Sequence, residues 1–183
     1  MSVTWLFDFA HHALYKFPKE DALVTKYNGV WTKTSTKEYV SQGNKISRGL
    51  LKLGIKPGDK IGLISTNNRT EWHIMDLGIL QIGAIDVPVY PTISVEDYIY
   101  IFNNAEIKYV FVSDKDLYEK LLQVKPQVES LKGIFTFDDI PGAANWKEIL
   151  DLGENDDNQQ EVEDISKTIQ PDDLATKKKK KLQ

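Results

Sequence analysis

Cysteine is absent from the 183 residues, which removes disulfides, thiolate metal sites and cysteine nucleophiles together. Histidine is scarce: His11, His12 and His73 are the only three. Adjacent residues point about 100° apart on a helix, so His11 and His12 are not placed to share a metal, and a histidine-bound catalytic metal is not expected. No apolar stretch reaches the roughly 20 residues that cross a bilayer. The longest candidate, Leu77 to Tyr90, is broken by Gln81, Asp86 and Pro88. Met1 to Ala10 carries Asp8 and no basic residue, unlike a secretory signal. The expected address is cytoplasmic, with peripheral association as the one membrane contact compatible with this pattern.

Recognisable catalytic motifs are also missing. A phosphate-cradling loop needs converging glycine N–H groups followed by a lysine and a hydroxyl residue. Gly49 and Gly54 have the right separation, but Ile55 and Lys56 follow them and Gly49 falls inside a helical pattern. There is no G-x-S-x-G elbow, and no serine or threonine has a histidine at a spacing that suggests a dyad. Asn67, Asn68 and Thr70 precede or open a helix, where they can either cap it or help hold an anion; capping is the expectation.

What is present describes one globular domain. Hydrophobic residues make up 41% of the chain and the formal net charge is -4, which excludes a nucleic-acid binder by charge. The charge is uneven: Glu154, Asp156, Asp157, Glu161, Glu163 and Asp164 precede a terminal run from Lys177 to Lys181. Such a run attracts anionic surfaces or remains a solvated tail.

Periodicity supplies the elements. A short helix capped by Ser2 or Thr4 ends before Phe17-Pro18. Strands from Ala22 to Tyr27 and from Val30 to Lys33 flank Asn28-Gly29, the pair suited to a two-residue type I′ turn. Tyr39, Gly43, Ile46, Leu50 and Leu53 recur at helical spacing and stop at Gly54. Lys60 to Ser65 is an unbroken buried strand after the Lys56 to Asp59 turn. A helix from Thr70 to Ile82, a strand from Ile85 to Val89, a helix opened by Ser94, a strand from Tyr109 to Val112, a helix capped by Asp114 and a strand from Gly133 to Phe137 continue the alternation. These predict an α/β fold: a largely parallel sheet with crossover helices, and the hairpin as an antiparallel element at one side. Residues 153 to 168 read equally as a surface helix or a linker.

Two stretches carry a resemblance. Leu53-Gly54-Ile55-Lys56-Pro57-Gly58-Asp59-Lys60-Ile61-Gly62-Leu63-Ile64-Ser65, followed by Asn67-Asn68-Arg69-Thr70-Glu71-Trp72, is similar to the early core of adenylate-forming acyl-CoA synthetases. Gln81-Ile82-Gly83-Ala84-Ile85-Asp86-Val87-Pro88-Val89-Tyr90-Pro91-Thr92 resembles the long-chain fatty acyl-CoA branch in particular. The resemblance runs from about Trp5 to Thr176. It implies the first lobe of the large amino-terminal domain of an AMP-forming ligase, with residues 1–176 as part of the AMP-binding domain and 177–183 as a lysine-rich tail without fixed structure.

In that family Pro-Asp-Asp-Leu-Ala-Thr, here Pro171 to Thr176, leads into Y-T-S-G-T-T-G-x-P-K-G, which holds the ATP phosphates; here Lys177 begins the lysine-rich tail instead, as a frameshift or premature stop would leave it. The resemblance implies a reaction in which a long-chain fatty acid, ATP with Mg2+, and CoA give acyl-CoA, AMP and diphosphate through an acyl-adenylate. It assigns no catalytic, cofactor-binding or metal-binding residue to this chain. Scaffolding without activity is therefore the expected role, a non-catalytic acyl-chain or partner-binding module is the alternative, and exposed edges are expected to favour self-association.

Overall fold

The computed structural model describes residues 3–155 and 157–177. The chain opens with α1 (Asp8–Lys16) and a hairpin of β1 (Leu23–Tyr27) and β2 (Val30–Thr34). Asn28 and Gly29 both have positive φ, 48° and 84°, as the type I′ turn requires, and Tyr27 pairs with Val30 across it. The hairpin is a separate two-stranded sheet and does not extend the main one. The start of α1 differs from the expected one. Ser2 lies outside the described residues, and Thr4 does not cap: the N–H groups of Thr4 and Trp5 donate to the Asp8 carboxylate at 2.8 and 2.9 Å. The acid one turn into the sequence pattern organises the entry.

Helix α2 (Thr36–Lys52) is bounded by local chemistry at both ends. Ser35 and Glu38 form a reciprocal capping box. At the other end Gly54 turns left-handed at φ +89°, and the N–H groups of Gly54 and Ile55 reach back to Leu51 and Leu50 oxygens, closing a Schellman motif. Gly49 is a packing residue: a Cβ there would stand 2.0 Å from the Ile149 carbonyl oxygen. The Gly49/Gly54 pair therefore terminates and packs a helix and cradles no phosphate.

The rest alternates: β3 (Lys60–Ile64), α3 (Thr70–Gln81), β4 (Ile85–Pro88), α4 (Val95–Ala105), β5 (Ile107–Val112), α5 (Lys115–Val124), β6 (Gly133–Thr136), β7 (Ala144–Asn145), α6 (Lys147–Leu152) and α7 (Gln159–Thr168). Strands β4, β3, β5, β6 and β7 lie side by side in that order, with every registered pair parallel. Strand β5 starts two residues before the expected Tyr109, at Ile107. Residues 159–168 settle as helix because Val162 buries into the core.

Strand alternation divides the core. Phe111 and Phe135 stack at 5.0 Å on the face covered by α2 and α3, with Ile46, Leu50, Ile74 and Ile79. Val110, Val112 and Ile134 face α4 and α5, meeting Tyr98, Phe102, Leu117 and Leu121. Outside α2 and α3, α1 packs through Phe7 and Ala10. Beyond α7 the chain returns to the free side of β4, where Thr176 pairs in parallel with Asp86. Asp86 N–H donates to Ala175 O at 3.1 Å and Lys177 N–H donates to Asp86 O at 2.9 Å.

Candidate functional site

In sequence order the first strand of the parallel sheet, β3, is flanked by the second and the third, so the winding reverses between β3 and β5. In open α/β sheets the crevice beyond the carboxyl ends of the strands at such a reversal is where ligands bind. Two clefts that share Thr66, Asn67 and Arg69 in their walls occupy that position. One, of about 500 Å3, lies between the segment after β3 and the Pro88 to Pro91 segment, walled by Trp72 and His73. The other, of about 590 Å3, reaches from Thr66 and Asn67 to Ser113, Asp138 and the hairpin.

Helix α3 begins beneath both clefts, and its cap comes from the hairpin. Thr70 N–H donates to Thr25 Oγ1 at 2.9 Å, and the two threonine hydroxyls are also 2.9 Å apart. Neither Asn67, Asn68 nor Thr70 caps the helix: Arg69 holds the cap position, with no side-chain cap bond. The expectation of a local cap fails because a hydroxyl from the hairpin fills the role.

Arg69, 6% exposed, is the centre of the site. Its Nε and NH2 groups grip Glu71 at 3.0 and 2.9 Å, NH1 donates to Ser113 O, and NH2 also reaches Asp138. The guanidinium lies over the Phe137 and Tyr27 rings. Tyr27 OH donates to Glu71 Oε2 at 2.6 Å. Burial alone pushes the Glu71 carboxyl up, but the hydrogen bonds from Arg69 and Tyr27 outweigh it and hold the group below its ordinary range. Burial first, and the Glu71 carboxylate second, push the Tyr27 phenol up to about 12.

A second node joins the ends of β3 and β5. Thr66 N–H donates to Ser113 Oγ at 3.1 Å, and the Thr66 and Ser113 hydroxyls both donate to Asp114 Oδ2. Asp114 Oδ1 caps α5 through the Leu117 N–H at 3.1 Å. Burial pushes the Asp114 carboxyl up, yet these donors together hold it down as a carboxylate. Arg69 and the hydroxyls of Thr66 and Ser113 are thus engaged with carboxylates and backbone.

The groups present do not fit a nucleoside triphosphate. Lining the larger cleft, Lys26, Arg69 and Lys147 face Glu71, Asp114, Asp138 and Asp139, which leaves no positive surplus for a polyphosphate. Arg69 and Lys147 are both paired to acids. The three histidines do not converge. His11 contacts Gln81 at 2.7 Å, His73 packs edge-on against Trp72, and no metal-binding group of three His, Asp or Glu occurs among the described residues. Of the terminal lysines, Lys178 to Lys181 lie outside the described residues.

Two groupings escaped sequence reading: the Arg69–Glu71–Tyr27–Asp138 node, and a pair of acids, the half-buried Asp76 and the buried Asp86. Only Asp86 left a trace, as a charge interrupting an otherwise apolar run.

Comparison with known proteins places this geometry. The AMP-binding enzyme family model matches residues 9–176. A long-chain-fatty-acid–CoA ligase of Xenopus laevis, ACSBG2, is 31% identical over 160 residues, covering 85% of this chain and 21% of the relative. The long-chain-fatty-acid–CoA ligase FadD15 of Mycobacterium bovis is 30% identical over 107 residues, covering 58% and 18%. Among solved structures, the anthranilate CoA ligase AuaEII, in complex with anthranoyl-AMP, superposes with a TM-score of 0.68 at 16% identity over 82% of this chain and 28% of its own. MbtA of Mycobacterium smegmatis gives 0.63 at 19%, over 81% and 27%; these two speak for the fold alone. The chain spans about a fifth of the length of the curated relatives it matches. With the family model matched over nearly the whole chain and a relative 31% identical over 85% of it, the protein belongs to the AMP-binding enzyme family, among the homologues of the long-chain-fatty-acid–CoA ligases.

Proposed function

We propose that the chain is the first lobe of an ATP-dependent long-chain-fatty-acid–CoA ligase acting in the cytoplasm, and that its residues scaffold the reaction without taking part in it. The 31% identity to the Xenopus ligase over 160 residues carries the family half of this reading. The scaffolding half rests on the crevice, where Arg69, Thr66 and Ser113 already have partners that hold loops and helices together. A group that stabilises developing charge must be free to meet substrate. ATP with Mg2+, CoA and the fatty acid are then handled by residues outside this segment, and no step of the reaction is assigned here.

The test is a chimera in which this chain replaces the matching segment of the Xenopus relative, assayed for palmitoyl-CoA formation. Thr66→Val and Ser113→Ala are expected to lower the melting temperature while leaving kcat/KM of the folded enzyme within about threefold, because they remove hydrogen bonds worth about 1 kcal/mol each. A loss of two orders of magnitude at unchanged melting temperature would show that these hydroxyls meet substrate.

An apolar groove favours one second reading, acyl-chain binding without turnover. It measures about 460 Å3 between the segment before α1 and the segment after α7, with Leu6, Phe9, Leu80, Ile169 and Leu174 on its walls. Saturable uptake of a fluorescent long-chain fatty acid by the chain alone would support it.

A further inference from the structure

Asp86 is 2% exposed on β4, and its Oδ1 has no hydrogen-bond partner. Neighbouring Ile85 and Val87 belong to the α4–α5 face, so alternation turns the Asp86 side chain toward α3. There it meets a second, half-buried carboxyl, Asp76, as a hydrogen-bonding neighbour. Two carboxylates in contact cannot both stay ionised in an apolar setting, and a buried oxygen without a partner is far less costly on a neutral acid than on an anion.

Among the described residues, no cation pairs with either acid. From α3 Asp76 faces Asp86, and from β3 the opposite residue is Ile61. Tyr39 of α2 feels the Asp76 charge, and Lys19 lines the same hollow as Asp76. Neither makes a hydrogen bond or ion pair with the two acids. Thr176 stands opposite Asp86, and Lys177 follows it, alternating to the other face.

The same residue anchors the end of the described chain. Both outward backbone groups of Asp86 are taken by the 175–177 segment, through Asp86 N–H to Ala175 O and Lys177 N–H to Asp86 O. The next outward position on β4 is Pro88, which has no N–H to give. The attachment of this sixth strand position therefore rests on a residue whose side chain is a buried acid.

We propose that Asp86 and Asp76 share one proton, held on Asp86 and donated to Asp76, and that losing it loosens the 175–177 segment from β4. The proton is released as an ionised Asp86 forms, and departure of the 175–177 segment from β4 then lets water reach the like charges. The direction follows from burial, which raises both carboxyls above their ordinary range. An acid held above its unfolded value favours the closed form at low pH and loses that contribution as pH climbs through its folded value, about 8 for Asp86. The latch is thus closed at pH 6 and weakened at pH 9.

Amide hydrogen exchange on the full chain, corrected for intrinsic rates, reads the two latch protons directly. The protection factors of the Asp86 and Lys177 N–H groups are expected to fall about tenfold or more between pH 6 and pH 9, since one unit of pKa change on opening is a factor of ten. Those of Val110 and Phe111 in the centre of the sheet are expected to hold. Asp86→Asn removes the titration, and Asp76→Asn, which leaves Asp86 its place, shrinks it. Constant protection across the range in the wild-type chain, or an equal fall in Asp86→Asn, would overturn the proposal. So would protection restored at pH 9 by millimolar Mg2+ or Ca2+, which would identify the pair as a cation site.

Discussion

At the scale of single residues, most of the chemistry of this lobe is internal pairing. Arg69 binds Glu71 through two bonds while packed between two aromatic rings, a geometry that removes both ions from water. Breaking such a pair leaves an uncompensated buried charge. Arg69→Met should therefore destabilise the chain by about 3–5 kcal/mol in urea unfolding, and adding Glu71→Gln should recover part of the loss. A cost below about 1 kcal/mol for Arg69→Met would mean that the node is solvated and weak. Because Glu71 is held below its ordinary range, its contribution is present above the unfolded carboxylate value and fades as pH falls through the folded one. None of this was legible in the sequence. Arg69 and Glu71 are two apart in a capping region, and nothing in that spacing indicates that Asp138 and Tyr27 close around them. Asp86 was different: an acid inside a buried strand is visible as an anomaly, although its partner Asp76, a turn and a loop away, is not.

At the scale of elements, local signals succeeded where they were self-contained. Asn28-Gly29 specifies its own turn, and Gly54 its own helix end, because the positive φ they need excludes most other residues. The start of α3 was misread since its cap is supplied by Thr25, 45 positions earlier. Thr25→Val keeps the shape and removes the acceptor, and is expected to cost about 1–2 kcal/mol by thermal unfolding, the usual range for a lost cap. An unchanged midpoint would show that water replaces the hydroxyl. Strand β7, two residues long, carries no periodic signal of its own and exists through its pairing with β6. The hairpin was legible as an antiparallel element beside the parallel sheet, but not which helix it would cap, since alternation reports burial and not the neighbour that provides it.

At the scale of the whole molecule, the parallel sheet and crossover helices were legible because each buried strand and helix is bounded by turn residues. The sheet order was not. The surface retains apolar groups in clusters: Leu6, Phe9 and Phe17 around α1, and Val30 and Trp31 on the hairpin, all at least 60% exposed. Contiguous apolar surface of this kind favours association. Light scattering across about 1–100 μM chain should show mass rising with concentration, and Trp31→Lys with Phe9→Lys should reduce it; a monomer throughout would place those residues in isolated, harmless positions. No described helix is long and apolar enough to cross a membrane. The scaffolding role proposed for this chain leaves every step of the ligase reaction to residues outside it. The most direct measurement is ATP–pyrophosphate exchange by the purified 183-residue chain with palmitate and Mg2+. The expected rate is indistinguishable from that without protein; palmitate-dependent exchange above that background, co-eluting with the chain, would overturn the scaffolding proposal.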